Sequence, residues 1–360
     1  MISRIKNILK EKDIFYFITI LILIFHNYTS NIYGVDLKKV NTLVLMITIV
    51  LFLNSVKDKI KINFKELVKY FILIFGLIFG LRSLYLSFFI LGISIFIDKR
   101  IRIRYFLQIN TFFYVLTIIL YKIGYLVEVE NPLIRIGRMR YSLGFAHPNT
   151  AMMFLLPIFF TIYYLYYPKY KNSIIFFILV NSLVIFFFTF SRTTFILIIL
   201  FIGLIFFKDK TIEKLRKLFL MEGIMIILLS LVLPIILNTE NIINRLLSGR
   251  LFLFYKYLIT YKITVFGDMQ ILEQYSSWPL DNSYLRVLFE NGIIGLLLLL
   301  LLSYLIMITL FKNKDYKGVR IFSILLILGF MEGNIFHFYF NILCFILPEY
   351  VNKAILKLKN

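Results

Sequence analysis

The chain has 360 residues, of which 61% are hydrophobic, 18% aromatic and only 16% charged, with a mean hydropathy of +0.88. Soluble domains hold about 45–50% apolar and about 25% charged residues, so a water-solvated fold is excluded and lipid is the expected solvent. The net charge of +21 would suit nucleic acid, yet a chain of many spans acquires the same excess from the bias of Lys and Arg towards cytoplasmic loops, and no nucleic-acid partner is expected.

A bilayer core about 30 Å thick takes roughly 20 helical residues. The first basic stretch, MISRIKNILKEKD, has no small-residue cleavage site after it and reads as the approach to a retained helix. Apolar stretches follow at 14–32, 40–56, 66–81, 83–97, 105–124, 149–167, 172–190, 193–207, 218–237 and 292–311. The region 319–350 exceeds one span, and its centre MEGNIFHF, with Glu332, Gly333 and Asn334, offers a turn between two short helices. The expectation is an all-α polytopic membrane protein, one membrane-embedded domain over 1–360, with twelve spans (eleven if 319–350 is not a hairpin) and both termini cytoplasmic. A single cysteine, Cys344, makes no internal disulfide and no metal pattern.

Charge supports this layout. With the N-terminus inside, 27 of the 40 Lys and Arg fall in inner segments, and the alternation holds at each of them. Two outer loops are long, 125–148 and 238–290, and loops of that length carry function. They hold Trp278, Pro279, many Tyr and several Arg, which is not a disordered composition. They are expected to form the active-site region.

The outer cations run against the bias and are therefore informative. Arg135, Arg138 and Arg140 lie in NPLIRIGRMRYSLGFAHPN, Arg192 in the tight turn FSRTT, and Arg245, Arg250, Lys256, Lys262 and Arg286 on or beside the second long loop. The planar fork of arginine donates two parallel hydrogen bonds to a phosphate or diphosphate; snorkelling to headgroups is the plain alternative. Pro148 keeps His147 out of helical geometry and itself suits a first helical turn, while Asn149 is able to bond nearby backbone donors. HPN therefore marks a helix start, which favours anions, or else serves only as a cap. His26 reads as a structural hydrogen-bonder. Glu222 and Glu332 are intramembrane acids; Glu222, near the inner interface, reads as structural and Glu332, near the outer end, as a candidate. Further acids are Glu128 and Glu130 on the first long loop, and Asp268, Glu273, Asp281 and Glu290 on or beside the second. No D-x-D pair, glycine-rich phosphate loop, H-x-x-H or H-E-x-x-H spacing occurs, so neither metal nor cofactor is expected.

GFAHPNT before a helix, FSRTTF between helices, and SGRLFLFYKYLITYKITVFGD with WPLDNSYLRVLFENGIIGLL further on follow one another between residues 144 and 296. In this order the chain resembles the O-antigen ligase and polymerase superfamily, and within it the capsule and O-antigen repeat-unit polymerases (Wzy type). The resemblance also covers the twelve-span layout with its large second outer loop. It implies an inverting, metal-independent glycosyltransferase at the outer face of a bacterial cell membrane. Donor and acceptor would be oligosaccharides on undecaprenyl diphosphate, amid membrane lipid, with room for a chain-length regulator and a flippase. The S-R turn puts Arg192, and S-G-R puts Arg250, on the diphosphate, with Arg138 and Arg140 as further cations. Ligases of the superfamily carry a histidine before the asparagine of H-N-x-Y-L as base or acceptor-positioning group; here the residue is Asp281, in DNSYL. Aspartate is able to accept the sugar's proton, and His147, Glu332 and His337 are the other candidates. Asn149, Asn282 and Tyr284 would position substrate. The departure at Asp281 favours a polymerase over a ligase with another acceptor. A flippase or transporter would show two related halves and a site at mid-membrane, and no such repeat is found.

Overall fold

The structure is a computed structural model that describes residues 11–32, 85–95, 97–127, 131–133, 138–237, 244, 247, 249–268, 280–333, 337, 339–350 and 353. The expected spans at 40–56 and 66–81 lie outside the described residues, as do Glu128, Glu130, Arg135, Arg245, Glu273, Trp278, Pro279 and Asn334.

The described chain is mostly helical. Its helices are α1 (Glu11–Ser30), α2 (Tyr85–Ser94), α3 (Lys99–Lys122), α4 (Pro148–Met153), α5 (Leu155–Tyr166), α6 (Lys171–Thr189) and α7 (Arg192–Phe206). They continue with α8 (Asp209–Lys214), α9 (Arg216–Ile236), α10 (Arg250–Thr260), α11 (Ser283–Lys312), α12 (Tyr316–Gly329) and α13 (Leu343–Ile346). One antiparallel hairpin, β1 (Asn131–Leu133) with β2 (Arg138–Arg140), pairs Asn131 with Arg140 and Leu133 with Arg138. Among the described residues five helices are long and apolar enough to cross a membrane: α3, the α4–α5 run, α6, α9 and α11. This is the character of a membrane-embedded protein, in which helices satisfy their own backbone groups away from water. Large apolar side chains such as Phe176, Phe187, Ile236 and Leu297 are exposed on these helices, as a lipid-facing surface requires.

Among the described residues the span expected at 83–97 is helical only over the ten residues of α2, and the second half of 319–350 only over α13 and 348–350; two further helices start earlier than expected. α3 begins at Lys99, so the basic stretch at 99–104 is helical, started by Asp98, whose carboxylate accepts from the Arg100 N–H at 2.8 Å. α11 begins at Ser283, well before the apolar run, because Asn282 caps it and Arg286 pairs with Glu290 one turn on, at 2.8 Å.

The chain forms two compact units. In the first, residues 89–198 combine with the N-terminal part and with the residues from Cys344 on. Here α3 lies against α1 and α5. Tyr28 of α1 is the keystone: its hydroxyl donates to the Asn110 carbonyl at 3.0 Å, and its ring sits 4.5 Å from Phe154 and 5.6 Å from Phe113. The GFAHPN stretch is sewn to α1 by a bridge between Ile32 and Phe145 and by the Ala146 N–H donating to the Asn31 carbonyl at 2.7 Å. It is tied to the end of α6 by the Tyr141 N–H donating to the Phe188 carbonyl at 3.0 Å.

The second unit comprises 199–343 with 76–88. α9, α11 and α12 pack on one another, and α10 lies against α9. α11 is interrupted at Gly292 (φ 71°, ψ −168°), a conformation essentially confined to glycine. The break is filled by the segment after α10: the Ile293 and Ile294 N–H groups donate to the carbonyls of Thr264 (3.1 Å) and Val265 (3.2 Å), and the Asp268 N–H to that of Phe289 (2.7 Å). A Cβ at Gly267 or at Gly292 would overlap the backbone of the facing segment. Arg320, 0% exposed, is held through Nε and Nη2 by the Leu204 and Phe207 carbonyls at 3.0 and 2.6 Å and by Asp209 at 2.7 Å. Glu222 accepts from the Ser323 hydroxyl at 2.6 Å.

Candidate functional site

The densest grouping of the expected site residues lies in the second unit. Gly249, in left-handed backbone (φ 81°), turns the chain into α10, so that Arg250 opens the helix with its side chain directed into the protein. Its guanidinium is 8% exposed and is met from three sides. Nη2 lies 3.1 Å from Asp281 Oδ2 and 3.3 Å from Glu332 Oε1, and Nη1 donates to the Met331 carbonyl at 2.6 Å.

The neighbouring residues explain why these groups converge. Asn282 caps α11, its Oδ1 accepting from the Tyr284 and Leu285 N–H groups at 3.0 Å each. Its Nδ2 donates to Ser230 Oγ of α9 and to the Phe330 carbonyl, both at 3.2 Å. Ser283 Oγ donates to the Glu332 carbonyl at 2.5 Å, and the Tyr284 hydroxyl to the Leu326 carbonyl at 2.7 Å. Asn282 and Tyr284 are thus buried and engaged within the fold; they hold the 330–333 segment against the start of α11 and leave Asp281, 37% exposed, at the edge. Ser283 and the Met331 carbonyl also build the site, and no composition or spacing signal marks either of them.

Two carboxylates share one guanidinium, and the more buried one binds a proton more tightly than an ordinary carboxyl does. Burial pushes the Glu332 carboxyl up to about 7; Arg250 pulls it down, while Asp281 pushes it up further. His337 is pushed down to about 4 by burial, with Arg286 adding to the effect, so it is neutral at pH 7, and its ring stacks on Tyr339 at 5.3 Å between centroids.

A second grouping lies in the first unit. Arg140, at the end of β2, donates from Nε to the Thr189 carbonyl at 2.8 Å and from Nη2 to Asn149 Oδ1 at 2.5 Å. His147 is the N-cap of α4, with Pro148 as its first helical residue, as HPN led one to expect. The cap bond is made by the histidine rather than the asparagine: Nδ1 of His147 accepts from the Asn149 N–H at 3.1 Å. That contact engages Nδ1 of the ring as an acceptor. The FSRTT turn is as tight as expected, with Phe190 left-handed (φ 48°) and Arg192 exposed at the first residue of α7. Arg138 lies on β2 opposite Leu133, and its side chain falls outside the described residues.

Arg140, His147, Asn149 and Arg192 therefore belong to the first unit, and Arg250, Asp281, Asn282, Tyr284, Glu332 and His337 to the second. Among the described residues no three His, Cys, Asp or Glu side chains are placed to hold a metal ion. Comparison of the chain with protein families, curated proteins and solved structures finds no match.

Proposed function

We propose that the chain is a polymerase of lipid-linked oligosaccharide repeat units, acting at the outer face of a bacterial cell membrane. The observation that supports this reading best is the Arg250 cluster. The arginine of the S-G-R stretch and the aspartate of DNSYL, two of the positions singled out by the resemblance, meet at one guanidinium together with Glu332.

A cation flanked by carboxylates suits transfer from a diphosphate. The acceptor's sugar hydroxyl attacks the anomeric carbon of the donor glycan from the face opposite the leaving group. The new C–O bond forms as the bond to the diphosphate oxygen breaks, the electron pair departs with undecaprenyl diphosphate, and the configuration inverts. Negative charge grows on the leaving group, and Arg250 stabilises it in exchange for part of its carboxylate contact. The hydroxyl proton passes to Glu332, whose proton affinity near neutrality suits a general base. Asp281, more exposed, keeps Arg250 in place and faces the acceptor. The diphosphate role of Arg192 rests on the resemblance, and that of Arg138 and Arg140 on their expected place in the first long outer loop.

The test uses purified protein and a single-repeat undecaprenyl-diphosphate oligosaccharide, without nucleotide sugar. A ladder of lengthened products, lost in Arg250→Lys with folding unchanged, is the expected result. No lengthening of an authentic repeat unit would overturn the reading.

A further inference from the structure

The first unit carries a groove whose lining includes none of the residues of the proposed reaction. It is an open hollow of about 770 Å³ between α3, α5 and α6, bordered by Leu107, Thr111, Tyr166, Tyr170, Ser173 and Phe177. A second hollow of about 570 Å³ shares Ser173 and Phe177 with it and continues along α6 as far as Asn181. From Tyr170 to Asn181 the groove follows roughly 16 Å of helix at 1.5 Å per residue. One leaflet of a bilayer core is about 15 Å deep, half of roughly 30 Å. The groove is therefore as long as one acyl chain and ends near mid-membrane.

Its walls are apolar where a chain would lie. Gln108 and Asn172 also border it, and at its far end Asn181 Nδ2 donates to the Phe177 carbonyl at 2.8 Å. No acidic residue borders either hollow. The opposite end is cationic. Arg100 and Arg104 continue the stripe of Leu107 and Thr111 along α3 at helical spacing, and both are exposed. Lys169 sits with Nζ 5.0 Å from the centre of the Tyr170 ring, which itself borders the groove, and Lys171 opens α6. A leaflet-deep apolar channel with basic residues at its interfacial mouth has the charge and length of one lipid.

We propose that this groove seats a single anionic glycerophospholipid, its acyl chain along α6 and its phosphate among Arg100, Arg104 and Lys169. The chemistry is that of basic side chains at the interface recognising an anionic headgroup while burial of methylenes supplies the hold.

The full chain would be reconstituted in bilayers of equimolar phosphatidylglycerol and phosphatidylcholine, extracted in mild detergent, and its retained lipid counted by native mass spectrometry. One phosphatidylglycerol per chain is expected, favoured over phosphatidylcholine about tenfold or more. Arg104→Ala with Lys169→Ala should lower that preference by roughly tenfold or more, since each basic residue near the interface is worth about 1 kcal/mol, about fivefold. Arg104→Lys keeps the charge and should keep the lipid. Ser173→Trp should expel both lipids by filling the channel. Equal retention of the two lipids, a preference unmoved by the double substitution, or a lipid-free dimer occupying the face would each overturn the assignment. So would preferential retention of a polyprenyl lipid when one is added to the bilayer.

Discussion

Arg250 serves three acceptors at once, and each partner constrains the outcome of substitution differently. Removing the guanidinium leaves two buried or half-buried carboxylates without compensation, a loss of about 3–5 kcal/mol for a broken buried pair, so Arg250→Ala confounds folding with function. Arg250→Lys keeps the charge but loses the fork, and should leave insertion intact while lowering product formation at least tenfold. Glu332→Gln removes the proposed proton acceptor with little change of shape, and a loss of about 100-fold or more in rate is expected for a lost general base. Because burial raises the Glu332 carboxyl to about 7, the base is protonated on the acid side, and the wild-type rate should fall as pH drops through about 7. Stability runs the opposite way. The folded chain binds this proton more tightly than the unfolded chain, so the contribution is complete below the ordinary value of 4.5 and is lost as pH rises through about 7. A rate that stays flat between pH 6 and 8 would remove Glu332 from the role of base.

Lipid dictated the length of some helices: α6, expected at 172–190, lies at Lys171–Thr189 and is long enough to cross a bilayer, whereas among the described residues the span expected at 83–97 is helical only over the ten residues of α2. HPN was legible as a helix start because proline restricts the residue before it. The start of α11 was not: SYLRVLFEN contains Arg286 and Glu290, which hydropathy scores as a loop, whereas their 2.8 Å pairing along the helix lets them lie within it. Asn282 is the residue on which this element depends. Asn282→Ala would lose the cap, worth about 1 kcal/mol, and with it the ties to Ser230 and to the Phe330 carbonyl. A fall of at least 1 kcal/mol in unfolding free energy is expected, with Arg250 less firmly held; an unchanged denaturation midpoint would show that the cap is dispensable.

At the scale of the whole chain, composition alone marked the solvent, and the alternation of Lys and Arg supplied an orientation. What it left unread was pairing across long separations. Nothing in SGR or MEGN announces that Arg250 and Glu332 lie 3.3 Å apart, because such contacts come from how α10 and the end of α12 lie against their neighbours. The orientation is open to direct measurement. In a Cys344→Ser background, Tyr141→Cys and Lys210→Cys place thiols at two exposed positions, expected outside and inside respectively. A membrane-impermeant maleimide should label the first on intact cells and the second only after permeabilisation. The reverse pattern would invert the topology and move the Arg250 cluster to the other side of the membrane.

The break at Gly292 also has an electrical meaning. An uninterrupted helix from Ser283 to Lys312 would present a single dipole, with about half a positive charge at its start. Gly292 divides it, and the carbonyls of Thr264 and Val265 occupy the first amides of the longer half. These bonds engage two of the amides at the positive pole of that half. Around Arg250 stand its two acids and the short first piece of α11, capped by Asn282. The chain has arranged for one adjustable cation, rather than a fixed helix field, to set the local charge.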